Sequence, residues 1–126
     1  MSTAVYICAI LTVSIGIAHS YLGERYILIR LFRRPDLPKL FGGTQFTTRT
    51  LRFAWHITSI AWFGLAAILV LLVHAPVARQ SLGLVLGSVF IATAAAILVG
   101  SRGRHLAWPL FLIIGIVTLL AALKVA

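Results

Sequence analysis

Acidic side chains are scarce in this chain. Glu24 and Asp36 stand alone against eleven Lys and Arg, which gives a formal charge of +9. Charged residues make up only 10 % of the 126, apolar residues make up 61 %, and the mean hydropathy is +1.07. A water-soluble domain must clothe its surface in polar groups, so this composition excludes an ordinary soluble fold. Cysteine is nearly missing too. The lone Cys8 cannot close an intramolecular disulfide, and without a CxxC or Cys/His tract a finger-type zinc site is excluded. Met1-Ser2-Thr3, ahead of the first apolar run, carries no positive charge, and no small-x-small cleavage pattern precedes Tyr21 and Tyr26. That run therefore reads as a retained helix and not a cleaved leader. Internal repeats and low-complexity segments are also lacking, so one domain over 1–126 is expected.

What is there is long apolar runs. Four can be drawn, at 4–21, 53–73, 81–100 and 106–123. Each holds roughly twenty residues, which at about 1.5 Å per residue crosses a ~30 Å hydrocarbon layer. Inside that layer a segment must satisfy its own backbone groups, so each is expected to be helical. The fold class is thus all-α, a polytopic membrane protein built as an up-down bundle of four transmembrane helices. The second link (74–80) and the third (101–104) allow only tight reversals.

Charge sets the expected orientation. Arg25, Arg30, Arg33, Arg34, Lys39, Arg49 and Arg52 fall around the first link, and Arg102 and Arg104 in the third. The other side has only Arg79 and Lys124. This asymmetry places the basic links in the cytoplasm and both termini on the periplasmic side. The basic residues lie beside the spans and form no separate domain, so anionic lipid head groups are the expected partner and nucleic acid is not. The first link mixes apolar residues with arginines and reads as an amphipathic surface extension of helix one. Pro35 and Pro38 end it, Gly42-Gly43 makes a turn, and Thr44 or Thr47 caps the next helix.

Polar residues inside the spans mark the place to look for function. Helical spacing aligns Thr12, Gly16, His19 and Gly23 on span one, flanked by Ser20 and Glu24. Arg49, Arg52, His56 and Ser59 align on span two, with Trp55 beside them. Polar groups are costly in hydrocarbon, so the two stripes are expected to face each other. His19, Glu24, His56 and His105 fall at one inner-leaflet depth. Imidazoles with a carboxylate suit a transition metal such as zinc or iron, and these four are the candidate ligands. Haem held by His19 and His56 stands behind that reading. The bland alternative makes them a packing network, with Glu24 in an ion pair. Arg25, Arg49 and Arg52 are candidates for that pairing or for lipid phosphate. Gly16, Gly83 and Gly87 are expected to serve close helix packing, helix three offering a surface for a homo-oligomer.

Two strings, His19-Ser20-Tyr21-Leu22-Gly23-Glu24-Arg25 and Arg52-Phe53-Ala54-Trp55-His56-Ile57-Thr58-Ser59, resemble a group of small uncharacterised bacterial four-span membrane proteins. The likeness extends over most of the chain. It implies a bacterial inner-membrane location and carries no activity with it. Small multidrug transporters are not matched, since span one lacks a deep acidic residue, and the Gly- and Asn-rich spans of fluoride channels are missing. Three function classes stay open: a metal-binding membrane protein, a non-catalytic assembly or anionic-lipid-binding module, and a haem-binding or oligomeric transport protein.

Overall fold

A computed structural model describes residues 2–74 and 76–124. Four helices carry the chain: α1 (Ser2–Leu31), α2 (Gln45–Val73), α3 (Arg79–Ser101) and α4 (Ala107–Lys124). Each is long and apolar enough to cross a membrane. The expected runs are extended at both ends of the first link. Helix α1 continues ten residues past Tyr21, and α2 starts eight residues before Phe53. Arginine, threonine and glutamine are tolerable in a helix that has left hydrocarbon, so periodicity of apolar residues underestimates both.

Helix α1 is not uniform. Its α-helical part ends at Leu22, and Gly23–Leu28 form a wider π-helical stretch in which the Ile29 N–H reaches the Glu24 carbonyl, five residues back. The stretch begins at a glycine pressed against the indole of Trp55. A Cβ on Gly23 would stand 2.1 Å from the Trp55 ring nitrogen. The Trp55 Nε1–H donates to the His19 carbonyl at 3.0 Å, fixing the indole in the notch that the glycine leaves.

Neighbouring helices run antiparallel. Tyr6 near the start of α1 meets His74 at the end of α2, and Phe53 near the start of α2 meets Gly100 near the end of α3. Gly83 near the start of α3 meets Ala122 near the end of α4. Contacts join α1 to α2, α2 to α3 and α3 to α4, and among the described residues α1 and α4 share none. Each helix thus contacts the next in an open row, with no α1–α4 contact closing it among the described residues. In hydrocarbon no hydrophobic force gathers the outer helices together, so closure is not compelled.

The interior is correspondingly thin. The buried apolar residues are Ala9, Leu28, Phe53, Ala66, Ala94, Ile97 and Ala122, most of them small. Large apolar side chains point outward instead, Ile10 at 65 % exposure and Val117 at 60 % among them. Such an inside-out distribution suits a lipid surround, where apolar side chains lose nothing by facing out.

The links after α1 and α3 lie at one end, hereafter the basic end. In the first, Arg34 clasps Asp36 through two hydrogen bonds of 2.9 and 2.6 Å. Leu40 and Gly43 then exchange backbone hydrogen bonds around Phe41 and Gly42, both at positive φ (53° and 83°). That is the backbone of a tight mirror-image turn, which suits Gly42 and strains Phe41. Thr47 does not cap α2. Its hydroxyl donates to the Pro38 carbonyl at 2.8 Å and ties the link to the helix. The third link follows a helix end capped by Arg102 and Gly103 at positive φ, with the Gly103 N–H on the Leu98 carbonyl at 2.8 Å.

Candidate functional site

The two polar stripes do meet, along the α1–α2 seam at the basic end. Antiparallel packing sets Ser20 and Glu24 opposite Arg52, His56 and Ser59. The His56 Nδ1 lies 2.9 Å from the Ser20 hydroxyl, and its Nε2 lies 3.3 Å from Glu24 Oε2. Arg52 holds the same carboxylate through Nη2 to Oε1 at 2.9 Å and Nε to Oε2 at 3.2 Å. Two donors converging on one carboxylate fix its orientation. One turn deeper, Ser20 Oγ is 2.8 Å from Ser59 Oγ, and the buried Ser59 hydroxyl donates to the Gly16 carbonyl at 2.8 Å.

Counting hydrogens reveals how this chain of contacts works. Ser59 has one hydrogen, and the Gly16 carbonyl takes it. The Glu24 carboxylate accepts from Arg52 and can only accept from His56 too, so His56 presents Nε2–H to it. That leaves the Ser20 hydrogen with two acceptors in reach, Ser59 Oγ and the bare Nδ1 of His56. Four contacts thus share three hydrogens while His56 is neutral. A fourth hydrogen, on Nδ1, satisfies every contact at once.

The remaining histidines are elsewhere. The Thr58 hydroxyl donates to the Trp55 carbonyl at 2.7 Å, so at the 2.9 Å contact with Thr58 it is the Nε2–H of His19 that donates. Its ring stacks on Trp55 with centroids 4.6 Å apart and touches Trp62. His105 lies against Phe46 and Phe53, and its Nδ1 accepts the Ala107 N–H at the start of α4. One imidazole is therefore a donor inside an aromatic stack, and the other caps a helix. Among the described residues no group of three or more His, Cys, Asp or Glu stands close enough to hold a metal ion. The expected quartet is reduced to the pair His56 and Glu24. The physical reason is the face each side chain occupies: His19 and Ser20 are adjacent on α1, and the step of about 100° between them turns Ser20 to His56 and Ser59 and His19 to Trp55 and Thr58.

Two hollows border His56. Between α2 and α3 lies a cavity of about 430 Å³ lined by Arg49, Arg52, Arg102 and His56, with Phe53, Ala96, Val99 and Gly100 as its apolar floor. Arg102 joins this set although sequence reasoning gave it only a share in topology. Its position after the last turn of α3 brings it beside the start of α2, which no spacing rule reveals. Between α1 and α2 lies an apolar cleft of about 560 Å³, reaching from Ser20, Glu24, Arg25 and His56 down past Ile17 to Phe63. Arg25 lines this cleft and stands 5.8 Å from the ring of Tyr26.

Gly16, Gly83 and Gly87 all stand at close helix contacts. A Cβ would meet Phe63 at 2.7 Å, Ala122 at 2.7 Å and Leu119 at 2.6 Å respectively. Gly83 and Gly87 thus face α4 of the same chain. The Arg34–Asp36 clasp lies outside the spans, on the link. The hydrogen bond from Arg34 holds the Asp36 carboxyl below its usual range, and the same bond raises Arg34.

Comparison with known proteins returned no matching family model, no curated protein and no solved structure. The site is accordingly argued from its chemistry.

Proposed function

We propose that this chain is a multi-pass protein of a bacterial inner membrane whose basic end binds the phosphate of an anionic lipid. The observation that carries this reading is the cavity lined by Arg49, Arg52 and Arg102 above an apolar floor. Arg52 is engaged by Glu24, whereas Arg49 and Arg102 enter none of the ion pairs found among the described residues. Guanidinium forks match phosphate oxygens, and an apolar floor beneath them matches the upper part of an acyl chain. The excess of basic residues at this end supports a cytoplasmic position for it, where anionic head groups lie.

The test is retention of phosphatidylglycerol against phosphatidylcholine by the purified chain in nanodiscs of mixed composition. A basic residue near an anionic surface contributes about 1 kcal/mol, roughly fivefold in binding. Arg49→Ala with Arg102→Ala is therefore expected to cut phosphatidylglycerol enrichment by about twentyfold or more, with far less effect in high salt. Equal retention of the two lipids by the unaltered protein would sink the reading.

Transition-metal binding is the second reading. It keeps one specific observation, the His56–Glu24 contact of 3.3 Å, and needs ligands from a substrate or a second copy to complete it. Elemental analysis of protein purified without chelators tests it. Below about 0.1 metal per chain it fails.

A further inference from the structure

We propose that Ser20, His56 and Glu24 form a nucleophilic centre that acts on acyl esters of membrane lipids. The argument starts from the hydrogens. A serine hydroxyl is a weak nucleophile unless a neighbouring base takes its proton as it attacks. Ser20 stands 2.9 Å from His56 Nδ1, the bare nitrogen, and His56 Nε2 stands 3.3 Å from Glu24 Oε2. Nucleophile, base and orienting carboxylate follow one another within hydrogen-bond reach, the arrangement by which serine hydrolases are recognised on unrelated folds. The two ring nitrogens exchange roles relative to the usual case, which the chemistry permits because either can be the base.

Three further features belong to the same centre. The Ser20 hydrogen has His56 Nδ1 within reach at 2.9 Å, so its transfer to the ring needs no rearrangement of side chains. Glu24 is itself gripped by Arg52 at 2.9 Å, which keeps it aimed. It also lies in the π-helical stretch of α1, a departure from regular helix that is frequent at functional sites. Ser20 is half-buried at the head of the apolar cleft, whose lower wall is Ile17 and Phe63. Ser20 and Arg25, five residues apart on α1, both line this cleft.

The reaction balances with water as the only co-reactant. Ser20 Oγ bonds to the acyl carbonyl carbon while its proton passes to His56 Nδ1. The carbon–oxygen bond to the glycerol breaks, and His56 returns the proton to that leaving oxygen. Water then attacks the acyl-serine, His56 takes its proton and returns it to Ser20, and a fatty acid departs. Arg25 lines the same cleft and adds a positive charge to it. Glu24 positions the ring and meets no substrate atom. The choice of a phospholipid as substrate rests on the head-group reading above; the nucleophile does not.

The probe is a long-chain alkyl fluorophosphonate, which Ser20 attacks at phosphorus with loss of fluoride. The full chain in detergent is incubated with it, and the adduct is located by peptide mass spectrometry. An adduct on Ser20, lost in Ser20→Ala and kept in the control Ser14→Ala, is the expected result. His56→Gln is expected to slow labelling by at least about a hundredfold, the contribution of a general base. Helical content and elution volume establish that each variant is folded. Should His56→Gln fail to fold, the pH profile of labelling in the unaltered protein decides. A rate that falls on acidification as imidazole protonates supports the centre, and a rate that follows only hydroxide overturns it. No adduct on Ser20 in folded protein, or one whose rate ignores His56, also overturns it. Labelling retained with phosphatidylglycerol discrimination lost refutes the head-group reading alone. The reverse pair of results refutes the nucleophile alone.

Discussion

The seam between α1 and α2 and the seam between α3 and α4 solve the same problem with opposite means. Both must hold antiparallel helices together where apolar burial offers no advantage over lipid. The α3–α4 seam is dry. Gly83 faces Ala122, Gly87 faces Leu119, and Gly115 faces Ile91, with projected Cβ approaches of 2.6 to 2.8 Å. Dispersion between closely packed backbones does all the work there. The α1–α2 seam instead carries hydroxyls, an imidazole, a carboxylate and a guanidinium, stacked against Trp55 and His19. Membrane hydrogen bonds average only about 0.6 kcal/mol, so a polar seam is not the stronger one. The comparison therefore separates a seam that exists for packing from one that carries polar groups beyond what packing requires.

The largest effect is expected from breaking the one place where the polar seam also depends on close approach. Gly23→Ala sets a methyl 2.1 Å from the Trp55 nitrogen and 2.4 Å from the next ring atom, and a rigid indole cannot yield. It also threatens the Trp55–His19 bond. A destabilisation of about 2–3 kcal/mol is expected in denaturant titration in micelles. Gly87→Ala meets the flexible end of Leu119 at 2.6 Å before it meets the Gly115 carbonyl at 3.2 Å, so about 1–2 kcal/mol is expected. If the two were reversed in order, the indole notch would not be the rigid feature described. Ser59→Ala comes next. It removes the hydroxyl between Ser20 and Gly16 and should cost about 0.6 kcal/mol in the same titration.

The smallest effect lies outside both seams. The Arg34 bond lowers Asp36, so the clasp is intact above the ordinary carboxylate range and is lost only as pH falls through the lowered value. Proteolysis of the first link is expected to stay slow at neutral pH and to quicken only in strong acid. In Asp36→Asn it should be quick at every pH. Equal cleavage of both proteins at neutral pH would show that the clasp orders nothing.

The sequence made the four helices legible because runs of apolar residues have one physical meaning at that length. It also made legible that His56, Ser59, Ser20 and Glu24 share a seam, since polar side chains seek one another in hydrocarbon. Which of two adjacent stripes meets the partner was not legible. His19 and Ser20 stand side by side on α1, about 100° apart around the helix, and it is Ser20 that meets His56 while His19 meets Thr58. His105 fails for a related reason: a residue placed by a reversal after α3 and a cap on α4 is governed by turn geometry, not by periodicity. The π-helical stretch leaves no pattern in composition at all. Only Gly23, opposite a tryptophan, hinted that two elements come unusually close.

The absence of contact between α1 and α4 has a consequence for how any ligand arrives. An open row has flanks and no lumen, so each groove between helices gives sideways onto the bilayer. A lipid entering such a groove diffuses in two dimensions and is already present as the solvent. Occupancy is then never scarce, and a weak groove is as full as a tight one. On the head-group reading proposed above, what remains for Arg49, Arg102 and their neighbours to decide is which head group exchanges into place, a matter of competition among lipids and not of capture from water.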